Sequence, residues 1–533
     1  MLKDDIKDLI KGSIEDLQEQ KEFPVFEIPQ IPVDYPREKS HGDYSSGVAL
    51  QLVKNINKRP IEIATLLAKQ LNVLSGDVFE KIEAVQPGFI NFFIKKEYLQ
   101  NQVKQILKQK EKFGNLDIGE NKKVNVEFIS ANPTGPLTLG NGRGGFCGDV
   151  LANVLAKAGY RVTREYYIND RGEQIIKLGH SVLMDSEAVY KGDYIEKLNE
   201  KFVSRNSTIS PEKVGDRAAK YILEEMLKPA IKRMGVKFDV WFSEKTLYED
   251  GSVDRAIKEL TAKEYTYISE GAIWFKSKDI DDDKDRVLIR ADGIRTYFAS
   301  DIAYLINKFN RGFDKLFFFL GADHYGYVAR LRAAVEVLGY KKEQVEAIVM
   351  QLVRLFKDGQ EVRMSKREGT YITMDELLDE VSVDAARFFF LMRGANTHLN
   401  FDMNLAKEQS SKNPVYYVQY GHARISSILR KQKPSLLSRP DFKLLKEKEE
   451  LDLIKQLIKI TEVVESISQD YQVQRLTQYS TELADAFHQF YEKCRVISED
   501  KKLTQARLAL VLATKIVLKN TLSLMGISAP ESM

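Results

Sequence analysis

Apolar residues along this chain recur at two periods, and the period changes with position. Near the start, Ile6, Leu9, Ile10, Ile14 and Leu17 stand at helical spacing between charges, which predicts an amphipathic first helix. A Pro-rich extended stretch at 23–36 follows. After it come helices carrying Val48, Leu50, Leu52 and Val53 and, opened by Pro60, Ile63, Leu66, Leu67 and Leu71. Residues 88–94 read as a strand. From Lys122 short apolar runs alternate with helical ones: strands at 124–129, 161–168, 315–320 and 347–352, helices at 149–158, 296–308 and 327–338. This βαβ rhythm predicts an α/β domain with a doubly wound parallel sheet. Helices and a hairpin around Trp274 and Val287 interrupt it as an insertion at about 180–285. Beyond Asp375 the chain is almost wholly helical, with Leu451, Ile454, Leu457 and Ile458, then Leu508, Leu512 and Ile516, in a 3.6 period. The expected division is an α+β unit at 1–115, the parallel-sheet domain at 116–395 and an all-helical domain at 396–533.

The 533 residues, 43% apolar and 29% charged, suit several packed domains and exclude a disordered or fibrous chain. No apolar run approaches the roughly 18 residues of a spanning helix, and residues 1–20 lack the apolar core of a secretory signal. No membrane partner is expected. Cys147 and Cys494 are too few for a disulfide framework or a four-ligand zinc site, so a cytoplasmic, zinc-free protein is expected. The net charge of +3 comes from the C-terminal third, which suits a polyanionic partner.

Two segments carry the chemistry. At 127–145 a strand ends in Glu127, a loop runs through Ser130, Asn132, Pro133, Thr134, Gly135 and Pro136, and a helix rich in glycine begins at Thr138. Helix starts present free N–H groups that suit phosphate, and Gly140, Gly142, Gly144 and Gly145 leave the backbone open to a flat base or a neighbouring strand. The spacing is neither a Walker loop nor a dinucleotide fingerprint. At 358–370 an Asp-Gly turn leads to Arg363-Met364-Ser365-Lys366-Arg367, a basic loop closing at Gly369, with Thr373 placed to cap the next helix. Cations beside a hydroxyl there suit a triphosphate.

The pair, in this order and on these elements, resembles the HIGH and KMSKS signatures of class I aminoacyl-tRNA synthetases. Residues 130–136, 165–175, 413–429 and 528–533 narrow the resemblance to the arginyl-tRNA synthetases, over essentially the whole chain. That family implies a Rossmann-like class I catalytic domain between an N-terminal domain for the tRNA D-loop and a helical anticodon-binding domain. It implies ATP with Mg²⁺, L-arginine and tRNA(Arg) as substrates, and a monomer. The alternative reading is a tRNA-binding relative with impaired catalysis.

The resemblance assigns arginine to Ser130, Asn132, Asn141, Tyr297 and Asp301. Tyr297 and Asp301 lie four apart on a predicted helix, so a phenol and a carboxylate share one face that suits a guanidinium. Glu127, at a strand end, and Asp323 and His324, ending another strand, line the same rim. ATP falls to Pro133, Thr134, Gly135, Pro136, Thr138, Gly140, Asn141, Gly142, Arg363, Met364, Ser365 and Lys366, with Lys366, Thr138 and Asn141 as catalytic groups. Phe89 and Asn91 meet the D-loop, and Tyr417, Tyr420, Tyr491 and Met533 the anticodon loop. Two departures stand out. The HIGH tetrapeptide is Thr138-Leu139-Gly140-Asn141, with both histidines replaced, and losing one transition-state donor costs ~3–4 kcal/mol if uncompensated. The KMSKS box keeps its second lysine only, which leaves Arg367, or Arg143 beside the glycines, to supply the compensating charge.

Overall fold

A computed structural model describes residues 2–74, 76–203, 209–280, 282–322, 326–362, 372–432 and 440–533. The first helix, Leu2–Glu19, buries Ile6, Ile10, Ile14 and Leu17 on one stripe. It packs on Pro60–Leu74, whose proline occupies the first helical position, where no N–H is needed. Beside them lies an antiparallel sheet with Phe89–Ile94 between Tyr44–Ser46 and Phe79–Val85.

The second sheet is wholly parallel. From edge to edge its strands are Val345–Met350, Lys315–Gly321, Lys123–Glu127, Arg161–Ile168 and Val240–Ser243. Four correspond to the predicted runs. The fifth, Val240–Ser243, lies inside the span expected to interrupt the sheet. Its four half-buried residues form an edge strand too short for periodicity to reveal. The expected hairpin is present, with Trp274 opposite Val287, as part of a three-stranded antiparallel sheet.

The glycine-rich segment is helical from Leu139 to Lys157, ten residues earlier than its apolar stripe indicated. Close packing explains the tolerance of so many glycines. A Cβ on Gly148 would stand 2.4 Å from the Phe128 ring, and one on Gly142 would stand 2.1 Å from Met374 Sδ. The last helix spans Lys501–Leu524. Asn520 does not stop it. Its amide donates to the Lys110 carbonyl at 3.0 Å, and Thr521 and Leu522 stay buried.

One buried cation joins the parallel-sheet unit to the helical end of the chain. Arg387 donates to Asp149 Oδ2 at 2.8 Å, to the Met525 carbonyl at 2.8 Å and to the Met234 carbonyl at 3.2 Å. Nearby, Asn153 donates to the Leu524 carbonyl at 3.0 Å. Removing the guanidinium strands these carbonyls in a dry environment and leaves Asp149 only the longer pair with Arg164 at 3.6 Å. Arg387→Met is therefore expected to cost about 3–5 kcal/mol of stability. A thermal melt unchanged from the parent protein would show that the junction holds without it.

Candidate functional site

The strand Lys123–Glu127 has Lys315–Gly321 on one side and Arg161–Ile168 on the other, so a crevice opens beyond Glu127, where the connections diverge. The chain leaves that strand under strain: Ile129 (φ 65°) and Ser130 (φ 39°) are both left-handed, a conformation held only where its surroundings enforce it. Ser130 Oγ donates to Glu127 Oε1 at 3.2 Å and accepts from the Tyr167 N–H at 3.0 Å. Asn132 accepts from Asn169 Nδ2 at 2.8 Å and donates to Gln174 Oε1, which ties the loop to residues 169–174.

Across the crevice runs the helix Tyr297–Asn310. Tyr297 stands half exposed at its start, and Asp301 lies one turn deeper, as their spacing predicted. Burial pushes the Asp301 carboxyl up to about 7; a hydrogen bond from Tyr327 opposes the rise, and the charges of Glu244 and Glu127 add to it. Glu244, just past the strand Val240–Ser243, is likewise pushed up to about 7 by burial, against a hydrogen bond from Ser300 and the charge of Arg171. Glu244 Oε2 and Tyr167 Oη are buried without a partner among the described residues. Arg171 stacks on Tyr248 at 3.3 Å, at the rim. Gly172 (φ 81°) gives the Tyr297 phenol its room, since a Cβ there would sit 3.0 Å from Oη. A buried Glu244 and a half-buried Asp301 whose charges interact, an aromatic face and no ion pair on either carboxyl among the described residues, though the charges of Arg171 and Arg330 reach them, suit a planar, delocalised cation such as a guanidinium.

The Thr138–Asn141 pair has a structural task. Thr138 caps the glycine-rich helix by accepting from the Asn141 N–H at 3.3 Å, and the Asn141 side chain accepts in return from the Thr138 N–H at 3.0 Å. The pair thus holds the helix start that faces the crevice. Pro133, Thr134 and Gly135 are buried, Pro136 is half-buried and Gly140 is exposed. Gly142, expected at the nucleotide, instead makes room for Met374. Arg143 cannot supply the compensating charge. It is fully buried, and it donates to the carbonyls of Gln351 and Gly394, each at 2.8 Å.

The first signature meets the chain just beyond the second. Thr138 and Thr373 form a β-bridge, the Met374 N–H donates to the Leu137 carbonyl at 2.9 Å, and Thr373 caps its helix as expected. Arg363, Met364, Ser365, Lys366 and Arg367, with Asp323 and His324, lie outside the described residues.

Phe89 presents a partly exposed ring, but Asn91 does not share that exposure. Its strand is paired on both sides, and its Oδ1 accepts from Ser45 Oγ at 2.8 Å. A direct Asn91 contact with a partner is thereby corrected to a supporting one. At the helical end, Tyr417, Tyr420 and Tyr491 gather around His488 and Arg424. The Arg424 guanidinium lies 4.5 Å from the Tyr491 ring, and Tyr417 Oη donates to Asp485 at 2.6 Å. Met533 is exposed, whereas the residues before it are fastened. The Pro530 carbonyl meets His422 Nδ1 at 2.8 Å, and Glu531 pairs with Lys515 at 2.7 Å.

Sequence reasoning missed Glu244, Tyr167, Tyr327 and Gln174. Glu244 ends a strand of a parallel sheet, where ligands gather, but its strand had been read as insertion. Tyr167 and Gln174 lie inside the quoted segment 165–175, with no spacing rule to single them out.

Three family models match in chain order: the arginyl tRNA synthetase N terminal domain over residues 4–94, the class I (R) tRNA synthetase catalytic domain over 102–391, and the DALR anticodon binding domain over 418–533. The chain is 44% identical to an arginine–tRNA ligase of Carboxydothermus hydrogenoformans, across 94% of each protein. It is 42% identical to one from Acetivibrio thermocellus, across 100% of this chain and 99% of that protein. Its fold is similar to that of Thermus thermophilus arginyl-tRNA synthetase, with a TM-score of 0.81 and 21% identity over 100% of both chains.

The raised carboxyls set a pH dependence. Both Asp301 and Glu244 titrate near 7, and a guanidinium binds their ionised forms. Acidification protonates them and weakens binding, so affinity for a guanidinium ligand is expected to rise roughly 10- to 100-fold from pH 6 to pH 8. Calorimetric titration across that range checks it, and a flat profile would take both carboxyls out of the site.

Proposed function

The chain belongs to the arginyl-tRNA synthetase family and is an arginine–tRNA ligase, and from that premise we propose how its residues divide the reaction. Arginine's carboxylate attacks the α-phosphorus of ATP in line, giving arginyl-adenylate and diphosphate. The 2′-hydroxyl of the terminal adenosine of tRNA(Arg) then takes the arginyl group. No protein nucleophile is needed; positioning and charge stabilisation carry the rate. ATP enters as its Mg²⁺ complex, with the ion held by phosphates and water.

The guanidinium lies between Asp301 and Glu244 against Tyr297, and the α-ammonium meets Glu127, Ser130 and Asn132. The observation that carries this reading is the pair of raised carboxyls without an ion pair among the described residues, Asp301 one helix turn from the exposed Tyr297 and Glu244 buried beyond the edge strand. ATP lies over Pro133–Pro136 and the helix start that Thr138 and Asn141 hold together. Arg363 to Lys366 reach its phosphates, Lys366 acting as they separate. Asp323 and His324 border the same crevice. Residues 1–115 and 396–533 hold the tRNA, with Phe89 at the D-loop and Tyr417, Tyr420, Tyr491 and Met533 at the anticodon loop, where aromatic faces stack unpaired bases. The protein works in the cytoplasm as a monomer. No helix among the described residues is long and apolar enough to cross a membrane.

Charging of tRNA(Arg) with radiolabelled arginine, beside diphosphate exchange with and without tRNA, tests the whole reading. Binding of tRNA without charging would instead favour the impaired relative. Within it, Asp301→Asn replaces a charge-assisted pair with a neutral one. The arginine KM is expected to rise roughly 10- to 30-fold while the ATP KM stays within about twofold. An unchanged arginine KM removes Asp301 from the pocket.

At the far end, Tyr420 and Met533 are both exposed, so Tyr420→Ala with Met533→Ala should raise the tRNA KM at an unchanged melting temperature. Deleting residues 529–533 is a poorer test, because it also removes the partners of His422, Arg430 and Lys515. A double variant that keeps its tRNA KM would sink the anticodon assignment.

A further inference from the structure

Beneath the crevice lies a charged cluster that the reaction, as described, does not use. Lys308, on the same helix as Tyr297 and Asp301, has no exposed side-chain surface. Its Nζ donates to Glu127 Oε2 at 2.6 Å and to Asn125 Oδ1 at 2.8 Å, and it stands 3.9 Å from Glu165 Oε1. Glu165 is already satisfied. Arg311 forks it at 2.6 and 2.8 Å, Tyr304 Oη and Asn125 Nδ2 also donate to it, and although burial pushes it up, the cations Lys308 and Arg311 hold its carboxyl below the usual range. The four charges of Glu127, Glu165, Lys308 and Arg311 cancel, and Lys308 is left to serve Glu127.

We infer that Lys308 is a positioning residue for the amino end of the substrate: it holds the Glu127 carboxylate aimed so that the other oxygen, beside Ser130, receives the α-ammonium. The inference rests on the reading that places that ammonium at Glu127. Buried ion pairs seldom add net stability over apolar groups of equal volume, so this one calls for another reason. The pocket supplies it. The negative charges of Glu127 and Glu244 both bear on Asp301, so repulsion among carboxylates works against a fixed Glu127 side chain. Lys308 offsets that repulsion from below. It also draws Glu127 Oε2 down while Ser130 Oγ engages Oε1, so the carboxylate has one orientation.

The discriminating probe is 5-guanidinopentanoate, which is arginine without its α-amino group. Affinities of the full-length protein for arginine and for this analogue are measured in the parent, Lys308→Met, Glu127→Gln and the double variant. Each single change is expected to weaken arginine roughly 10- to 100-fold while leaving the analogue within about threefold, and the double variant to be no worse than either. Equal losses for both ligands, or independent additive losses, would reduce Lys308 to a structural role and overturn the inference. If Lys308→Met does not fold, Asn125→Ala withdraws one of its acceptors, and an arginine-to-analogue ratio that does not fall overturns it equally. Should Glu127→Gln leave that ratio intact, the ammonium lies elsewhere and the underlying reading fails as well. A ratio sensitive to Glu127→Gln but not to Lys308→Met removes Lys308 alone.

Discussion

Placing two carboxyl groups where burial raises both is unfavourable, and the proposed arginine site is arranged around that fact. Asp301 and Glu244 come from different elements, a helix packed across the sheet and the end of its edge strand, so the tertiary fold alone forces them together. Single hydrogen bonds from Tyr327 and Ser300 soften the cost without removing it. On the proposed reading the free enzyme holds an electrostatic deficit that an arriving guanidinium cancels, and arginine binding draws on that relief as well as on new contacts. A neutral isostere such as citrulline makes comparable contacts and cancels nothing, which separates it from arginine on charge.

The other half of the crevice meets a different demand. Where the family signature has histidines, Thr138 and Asn141 close a reciprocal cap on the helix start. Such a cap carries no charge, but it holds the first N–H groups of a glycine-rich helix in one place, which is the preorganised part of phosphate binding. Positive charge must come from elsewhere, and Arg143 is committed to two backbone carbonyls in the core. The bridge between Thr138 and Thr373 brings the end of the basic loop to that helix start. The first signature and the chain just beyond the second are therefore coupled through backbone.

Much of this was legible in the residues, and the failures have physical causes. Long periodic segments were read well: the strand at 161–168, the Thr296 boundary of the pocket helix and the Thr373 cap all stand as spacing and capping chemistry required. The helix start at Thr138 was read from its glycine-rich segment and not from an apolar stripe, which its first turns lack. Its glycines exist for close contact with Phe128 and Met374, which no local pattern records. The edge strand Val240–Ser243 was lost because four half-buried residues have no period, and Glu244 was lost with it. Asn91 was read from its motif alone, and pairing on both sides of its strand buries it. Local periodicity reports which face is apolar. It does not report which distant backbone will press against it.

Arg387 draws residues 149, 234 and 525 to a single guanidinium, while Asn153 and Asn520 fasten the same long helix to two other parts of the chain. Ties of this kind make the free energies of the sheet and the bundle inseparable. Heat or urea would then melt them in one cooperative transition, where loosely strung domains would show separate ones. The same rigidity bears on the reaction. If bases are read at the helical end and arginine is activated at the sheet, as proposed, the frame between them holds the two at a fixed separation and works as a ruler laid along the tRNA.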